Sequence, residues 1–250
     1  MRHYISDTTA LLGRSLRHIT RSLDTIITTT VMPIAFLLLF VYVFGGSIDV
    51  GGQTYVDYLL PGILLITIAS GISYTSFRLF IDVQSGLFER FQSMPIARSS
   101  VLWAHVLTSL VATMVSVAVV VLVALLMGFR SSAGVLSWLA AAGILTLFTL
   151  ALTWLAIIAG LSAKSVDGAG AFAYPIIFLP FISSAFVLTS SMPGPVRAFA
   201  EHQPMTPIAN AIRDLLAGQP ANVWLAVAWC AGILVVAYGL AMATYHRRIT

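Results

Sequence analysis

Ionisable and nucleophilic side chains do chemistry when they are held close together, and in this chain they are few and scattered. The nine acidic residues, Asp7, Asp24, Asp49, Asp57, Asp82, Glu89, Asp167, Glu201 and Asp214, lie in polar stretches or at the ends of apolar ones. An ionisable group at the centre of a bilayer costs about 2.5–3.5 kcal/mol on insertion scales, so proton- and ion-coupled carriers keep one only where they use it. None stands in such a place here. His105, one turn into an apolar run, comes nearest, and its position suits a hydrogen-bonded interfacial histidine. His3, His18, His105, His202 and His246 have no metal-ligand spacing, so no metal site is expected. Lys164 follows Ala163, not the glycine of a G-x-x-x-x-G-K-[ST] phosphate loop. Cys230, alone in the chain, has no disulfide partner within it.

One nucleophile has to be weighed. Gly160, Leu161, Ser162 and Ala163 weakly resemble the nucleophile motif of six-span intramembrane serine proteases, without the usual final glycine. That chemistry needs a histidine inside the membrane to activate the serine. The last apolar run has none, since His246 lies beyond it beside Arg247 and Arg248. Ser162 is therefore read as an ordinary helix-end serine, and the chain as no enzyme. Nothing favours nucleic-acid binding.

The elements that would position any site are membrane helices. Of 250 residues, 59% are hydrophobic and 9% charged, where soluble domains carry about 25% charge. Six apolar segments, at about Ile26 to Gly45, Tyr58 to Phe80, Val101 to Met127, Val135 to Leu161, Gly170 to Thr189 and Val223 to Tyr245, each meet the roughly 20 residues that cross a bilayer. Segments three and four, separated only by Gly128 to Gly134, form a helical hairpin. An even count puts both termini on one side. With that side cytoplasmic, Arg2, Arg14, Arg17, Arg21, Arg78, Arg90, Arg98, Lys164, Arg247 and Arg248 are inside, and only Arg130, Arg197 and Arg213 are outside.

Three polar or amphipathic units complete the pattern. In residues 1–24, Ile5, Leu12, Leu16, Ile19 and Leu23 share a helical face opposite Arg14, Arg17 and Arg21, which predicts an interfacial helix with its arginines towards headgroups or a protein. Between segments two and three lies a polar island, Asp82 to Ser100. On a helix its Val83, Leu87, Phe91 and Met94 share one face until Pro95 stops it. It either lies on the lipid headgroups or docks a soluble protein. Between Ser190 and Asn222, Pro193, Pro195, Pro204, Pro207 and Pro220 exclude an uninterrupted span. There Thr206 is expected to cap a short helix starting at Pro207, with Ile208, Ala211, Ile212, Leu215 and Leu216 as its apolar stripe. That helix either enters the outer leaflet and bundle mouth or caps the bundle from the surface.

Three strings in this order resemble the permease subunit of type-2 ABC transporters. YVDYLLPGILL (Tyr55 to Leu65) is similar to the family's start of span two, ERFQSMPIARSSVLWAH (Glu89 to His105) to its signature after span two, and QPMTPIANAIRDLLAG (Gln203 to Gly218) to its segment before span six. The resemblance covers essentially the whole chain, and among subfamilies it is nearest the daunorubicin-resistance type of drug and lipid exporters. The family's last string often opens with Asn-Pro where this chain has Gln203-Pro204.

The resemblance implies an all-α membrane protein forming one transmembrane domain over residues 1–250. It comprises an interfacial helix at 1–24, spans one to four at 26–161 with a coupling helix at 82–97, and spans five and six at 170–245 with a re-entrant segment at 190–222. It implies a multi-pass protein of the bacterial cytoplasmic membrane that exports a drug, lipid or glycolipid. A polysaccharide or lipid-linked glycan is the alternative cargo. Two permeases, identical or paralogous, would bind two copies of an ATPase subunit that holds ATP and Mg, this chain binding no cofactor itself. Leu87, Phe91 and Met94 would be apolar knobs towards that ATPase, and Glu89, Arg90 and Arg98 polar contacts, with Pro95 ending their helix. Membrane lipids would surround the assembly. Spans two and five would line the substrate path through Thr67, Ser70, Tyr74 and Phe77, and through Phe178, Phe181, Ile182 and Phe186.

Overall fold

The computed structural model describes residues 23–45, 54–85 and 100–249, and among these there is no strand. Helix α1 (Leu23–Leu39) runs on into a π-helical turn, Phe40–Phe44. Then come α2 (Tyr55–Gln84), α3 (Ser100–Leu126) and α4 (Val135–Ser162). Two short helices, α5 (Val166–Ala171) and α6 (Ala173–Phe178), lead into a 3-10 turn at Leu179–Ile182. After a second 3-10 turn, Thr189–Ser191, the chain forms α7 (Gly194–His202), α8 (Met205–Leu216) and α9 (Val223–Ile249).

Four of these helices, α2, α3, α4 and α9, are long and apolar enough to cross a membrane. The hairpin of α3 and α4 forms as expected. The fifth segment, expected as an apolar span at Gly170 to Thr189 bent by Pro175 and Pro180, is broken further than a bend. Its helical part spans Val166–Ile182 in three pieces, and Ser183 is extended (φ −141°, ψ 179°). The physical reason is Pro180, which has no N–H to continue a helical ladder and sits buried at the start of the 3-10 turn. The polar island also divides differently. Asp82, Val83 and Gln84 complete α2 instead of opening a separate coupling helix, and Ser85 caps it. The remainder of the island, 86–99, and the expected interfacial helix with Arg14, Arg17 and Arg21 lie outside the described residues.

Helix α2 is the centre of the bundle. It packs against α1, α3, α4, α5, α6 and α8, while α9 lies along α4. Within the most apolar window of each helix, 83% of α2 is buried against 33% of α3 and 22% of α9, so the latter two present most of their surface outward. Several polar side chains inside the bundle find hydrogen-bond partners within it. Thr67 donates to the Ile63 carbonyl and Thr149 to that of Leu145, both at 2.7 Å. Thr75 and Ser109 hydroxyls pair across α2 and α3 at 2.5 Å. At the end of α2 nearest the island, His105 Nε2 lies 3.2 Å from Asp82 Oδ2. Beside this pair Trp154 meets Trp103 and Tyr238 edge-on, with ring centroids 5.3 and 4.8 Å away. The Asp82 carboxylate thus gives His105 the hydrogen-bonding partner expected of it.

The α2–α4 crossing depends on Gly160. A Cβ there would stand 2.8 Å from the Ser76 carbonyl oxygen and 3.1 Å from Leu79 Cβ. Gly160→Leu should force the helices apart and lower stability by about 1–3 kcal/mol, as overpacking does. The check is the melting temperature of the detergent-purified protein, with Gly143→Leu, where a Cβ meets nothing within 4 Å, as the tolerant comparison.

Candidate functional site

The site forms where α1 meets the broken fifth segment. Phe36, Phe40 and Phe44 recur every four residues on α1 and its π-helical turn, so they stack along one face. Phe181 meets Phe36 edge-on at 5.5 Å between centroids and stacks on Phe186 at 4.8 Å and 13°. Phe186 in turn lies 5.1 Å from Phe40. The result is a wall of phenylalanines, apolar and polarisable, with no charge in it. Beside it Tyr174, Phe178 and Ile182, again at four-residue spacing, are exposed.

What holds this wall is polar. The turn after the fifth segment, Ser183–Phe186, is buried without belonging to a helix, so its peptide groups need partners from elsewhere. They come from α2 and α8. Arg213 donates from one terminal nitrogen to the Ser184 carbonyl at 2.8 Å and from Nε to the Tyr58 carbonyl at 3.2 Å. Its guanidinium carbon sits 3.9 Å above the Tyr58 ring, and the Tyr58 hydroxyl donates to the same Ser184 carbonyl at 2.8 Å. Asn210 Oδ1 accepts from Arg213 and from the Ser184 hydroxyl, both at 2.7 Å. Thr206 Oγ1 accepts from Ser184 N–H at 3.2 Å and donates to the Ala200 carbonyl at 2.5 Å. One turn along α2 from Tyr58, Gly62 lets the turn approach, since a Cβ there would be 2.9 Å from that of Ala185.

Gln203 completes the knot by donating to the Leu179 carbonyl at 3.1 Å and to that of Ile182. These carbonyls belong to the 3-10 turn, where the α-helical ladder has ended. The glutamine side chain thus takes up carbonyls that the broken helix leaves open. Nearby, Arg130 N–H donates to Asp57 Oδ1 at 3.1 Å, and Ser131 and Ser132 donate to the last carbonyls of α8, Leu216 and Ala217, at 2.7 and 2.6 Å. The α3–α4 loop therefore caps α8 and ties it to the start of α2. Burial pushes the Asp214 carboxyl upward against a lowering pull from Arg213, and the guanidinium's acceptors are carbonyl and amide oxygens.

The expected path residues separate into groups. Phe181 and Phe186 enter the wall, while Phe178 and Ile182 face outward beside it. Tyr74 and Phe77 pair on α2 at 6.5 Å between ring centroids, Phe77 being exposed. Thr67 is fully buried with its hydroxyl spent on Ile63. Ser70 Oγ is buried without a hydrogen-bond partner. Leu87, Glu89, Arg90, Phe91, Met94, Pro95 and Arg98 lie outside the described residues. Thr206, expected to cap α8, lies inside that helix, which begins at Met205, and bonds across to Ser184 instead. The expected stripe of Ile208, Ala211, Ile212, Leu215 and Leu216 is buried, and α8 packs against α2, α4 and α9. Sequence reading missed the polar stripe opposite, Gln203, Thr206, Asn210 and Arg213. Its 3-4-3 spacing was the available signal, as was the four-residue spacing of Phe36, Phe40 and Phe44. Ser162 is the exposed last residue of α4, and His246 Nδ1 lies 2.7 Å from the Met242 carbonyl of its own helix.

Long apolar helices packed around α2, with an aromatic wall braced by a polar amphipathic helix, define a multi-pass helical membrane protein. Residues 6–217 match the model of the ABC-2 type transporter family, and the chain belongs to that family. It is 29% identical over 226 residues to the daunorubicin resistance ABC transporter permease protein DrrB1 of Streptomyces coeruleorubidus, covering 89% of this chain and 80% of that protein. It is 27% identical over 241 residues to the probable doxorubicin resistance ABC transporter permease protein DrrC of Mycobacterium tuberculosis, covering 94% and 86%.

Replacing Arg213 by methionine should leave the Tyr58 and Ser184 carbonyls without their charged donor. Hydrogen bonds to charged groups contribute about 1.5–3 kcal/mol each, partly recovered by relaxation. A loss of about 2–4 kcal/mol is expected, read as a lower midpoint of thermal unfolding in detergent, with Arg197→Met on exposed α7 changing it by less than about 1 kcal/mol.

Proposed function

We propose that this chain is the permease subunit of an ATP-driven exporter whose cargo is a hydrophobic or amphipathic molecule. The family membership carries the reading, and the drug-resistance names of both relatives support its direction and cargo class. ATP and Mg belong on a separate ATPase subunit, two copies of which would serve a pair of permeases. The phenylalanine wall between α1 and the fifth segment suits a cargo with apolar rings, because it offers stacking faces without charge to desolvate. In this reading α1 and the Val166–Ile182 segment, together with the four long helices, make six crossings. Both termini then face the cytoplasm of a bacterial cell, and α7 and α8 form the re-entrant unit on the outer side.

The island beyond Ser85 is the proposed lever. Leu87, Phe91 and Met94 would seat in the ATPase, with Glu89, Arg90 and Arg98 around them and Pro95 ending the helix. The N-terminal arginines Arg14, Arg17 and Arg21 would hold an interfacial helix against anionic lipid. The closing of the ATPase pair would move the lever, and α2, which leads directly into it, would carry that displacement to the wall.

The test is co-purification of the solubilised chain with its ATPase, followed by daunorubicin efflux from proteoliposomes. The wild-type pair should retain a stoichiometric ATPase and move the dye with ATP. Phe91→Asp should lose the ATPase while the permease inserts at normal yield, and retention of a fully active partner would sink the lever assignment. Phe181→Ala should raise the half-saturating daunorubicin concentration about fivefold, the order expected for one lost aromatic contact, with less change in maximal rate. ATP turnover stimulated by a lipid-linked glycan and indifferent to daunorubicin would move the cargo to that class.

A further inference from the structure

We propose that Arg213 is a releasable latch, holding the Ser183–Phe186 turn against α2 in the closed state and letting it go when the path opens outward. The inference rests on the exporter reading above. Three observations carry it.

The first is that the turn is held by side chains. Ser184 N–H donates to Thr206, the Ser184 carbonyl accepts from Tyr58 and Arg213, and Ala185 N–H donates to the Ser183 hydroxyl. Such a turn can leave its seat without any helix unwinding. The second is that three of the holders, Thr206, Asn210 and Arg213, stand at i, i+4 and i+7 on α8, which is one face of a single helix. A small rotation of α8 disengages these three together, while Gln203, in extended backbone before the helix, keeps its hold on the 3-10 turn. The third is the nature of the bond. The guanidinium is held by carbonyl and amide oxygens and by the Tyr58 ring, with no bidentate carboxylate on it among the described residues. Charge-to-carbonyl bonds can be exchanged for water as the turn opens, whereas separating a buried ion pair would strand two charges.

The geometry also states what the latch guards. Phe186, at the end of the turn, is the ring that stacks on Phe181 and touches Phe40. Releasing the turn therefore removes one side of the phenylalanine wall at the end of the bundle where the α3–α4 loop and α8 meet. Gly62 leaves no side chain in the seat, so the turn returns by shape once the guanidinium finds its carbonyls again. In this scheme Arg213 is a positioning residue that acts through the turn, not a group that binds cargo.

The test places a thiol in the turn. Ser183 is fully buried, and Ser183→Cys in a Cys230→Ala background changes one atom of the turn. The full permease–ATPase complex in nanodiscs is treated with a membrane-impermeant maleimide, with and without ATP plus vanadate. Labelling should be slow without nucleotide and at least about tenfold faster in the trapped complex. Equal rates in a complex that hydrolyses ATP and exports daunorubicin would overturn the latch while leaving the exporter reading intact. A second arm uses the permease alone, so it is independent of any ATPase. There Arg213→Lys, which keeps the charge but loses the fork and the stacking, should raise the labelling rate towards the trapped value. Tyr58→Phe, which keeps the ring, should raise it less. Because unfolding would also expose the thiol, rates are taken at least 15 °C below each variant's melting temperature. Gly160→Leu, a destabilised variant with the latch intact, should stay protected. Equal labelling of Gly160→Leu and Arg213→Lys at matched stability would mean that the bond is structural only.

Discussion

Inside a bilayer no water is available to satisfy a peptide group, so each one must find its partner within the protein. Regular helices meet this requirement along most of their length, as in α2, α3, α4 and α9, with Pro61 removing one donor inside α2. The fifth segment is the place where the requirement is not met locally. Pro175 and Pro180 each lack an N–H, the helix gives way to a 3-10 turn, and the chain turns at Ser183. The groups released there are taken up by Gln203, Thr206 and Arg213 from the α8 region and by Tyr58 from α2. The shape of the site follows from that exchange, because it fixes where Phe181 and Phe186 can stand.

Helix α2 connects both ends of the molecule. Near its start Tyr58 and Gly62 form the seat for the turn, and near its end Asp82 faces His105 across to α3. Between them the helix is almost wholly enclosed, its threonines bonding back to their own carbonyls or across to Ser109. Close packing makes such a helix stiff, and displacement at one end is carried to the other. This is the mechanical property that the proposed function requires, in which a partner at one membrane face would drive the permease and the path would open at the other.

Much of this architecture was legible in sequence. The four long helices and the tight hairpin followed from apolar length, and the buried stripe of α8 followed from helical spacing. The three strings that placed the chain among type-2 ABC permeases lie within or overlap the 6–217 family match. Local rules were less informative where long-range contacts decide. Thr206 has every local attribute of a helix cap, yet its hydroxyl is drawn to Ser184, 22 residues away. Arg213 counted in sequence as an outer-side charge of the positive-inside pattern, whereas its main role in the fold is to hold carbonyls of Tyr58 and Ser184.

By itself the sequence determined what each stretch must avoid. Long uncharged runs must be helical and buried in lipid or protein, and each proline inside them removes one backbone donor. Those are consequences of solvation and of backbone geometry, which act on neighbouring residues and can be read residue by residue. Only the tertiary structure decided which polar side chains answer the peptide groups those prolines set free. Tyr58 and Ser184 are 126 residues apart in the chain, and no spacing rule links them. Their meeting depends on how closely α2, α8 and the fifth segment can pack, which is a property of three elements together and of none alone.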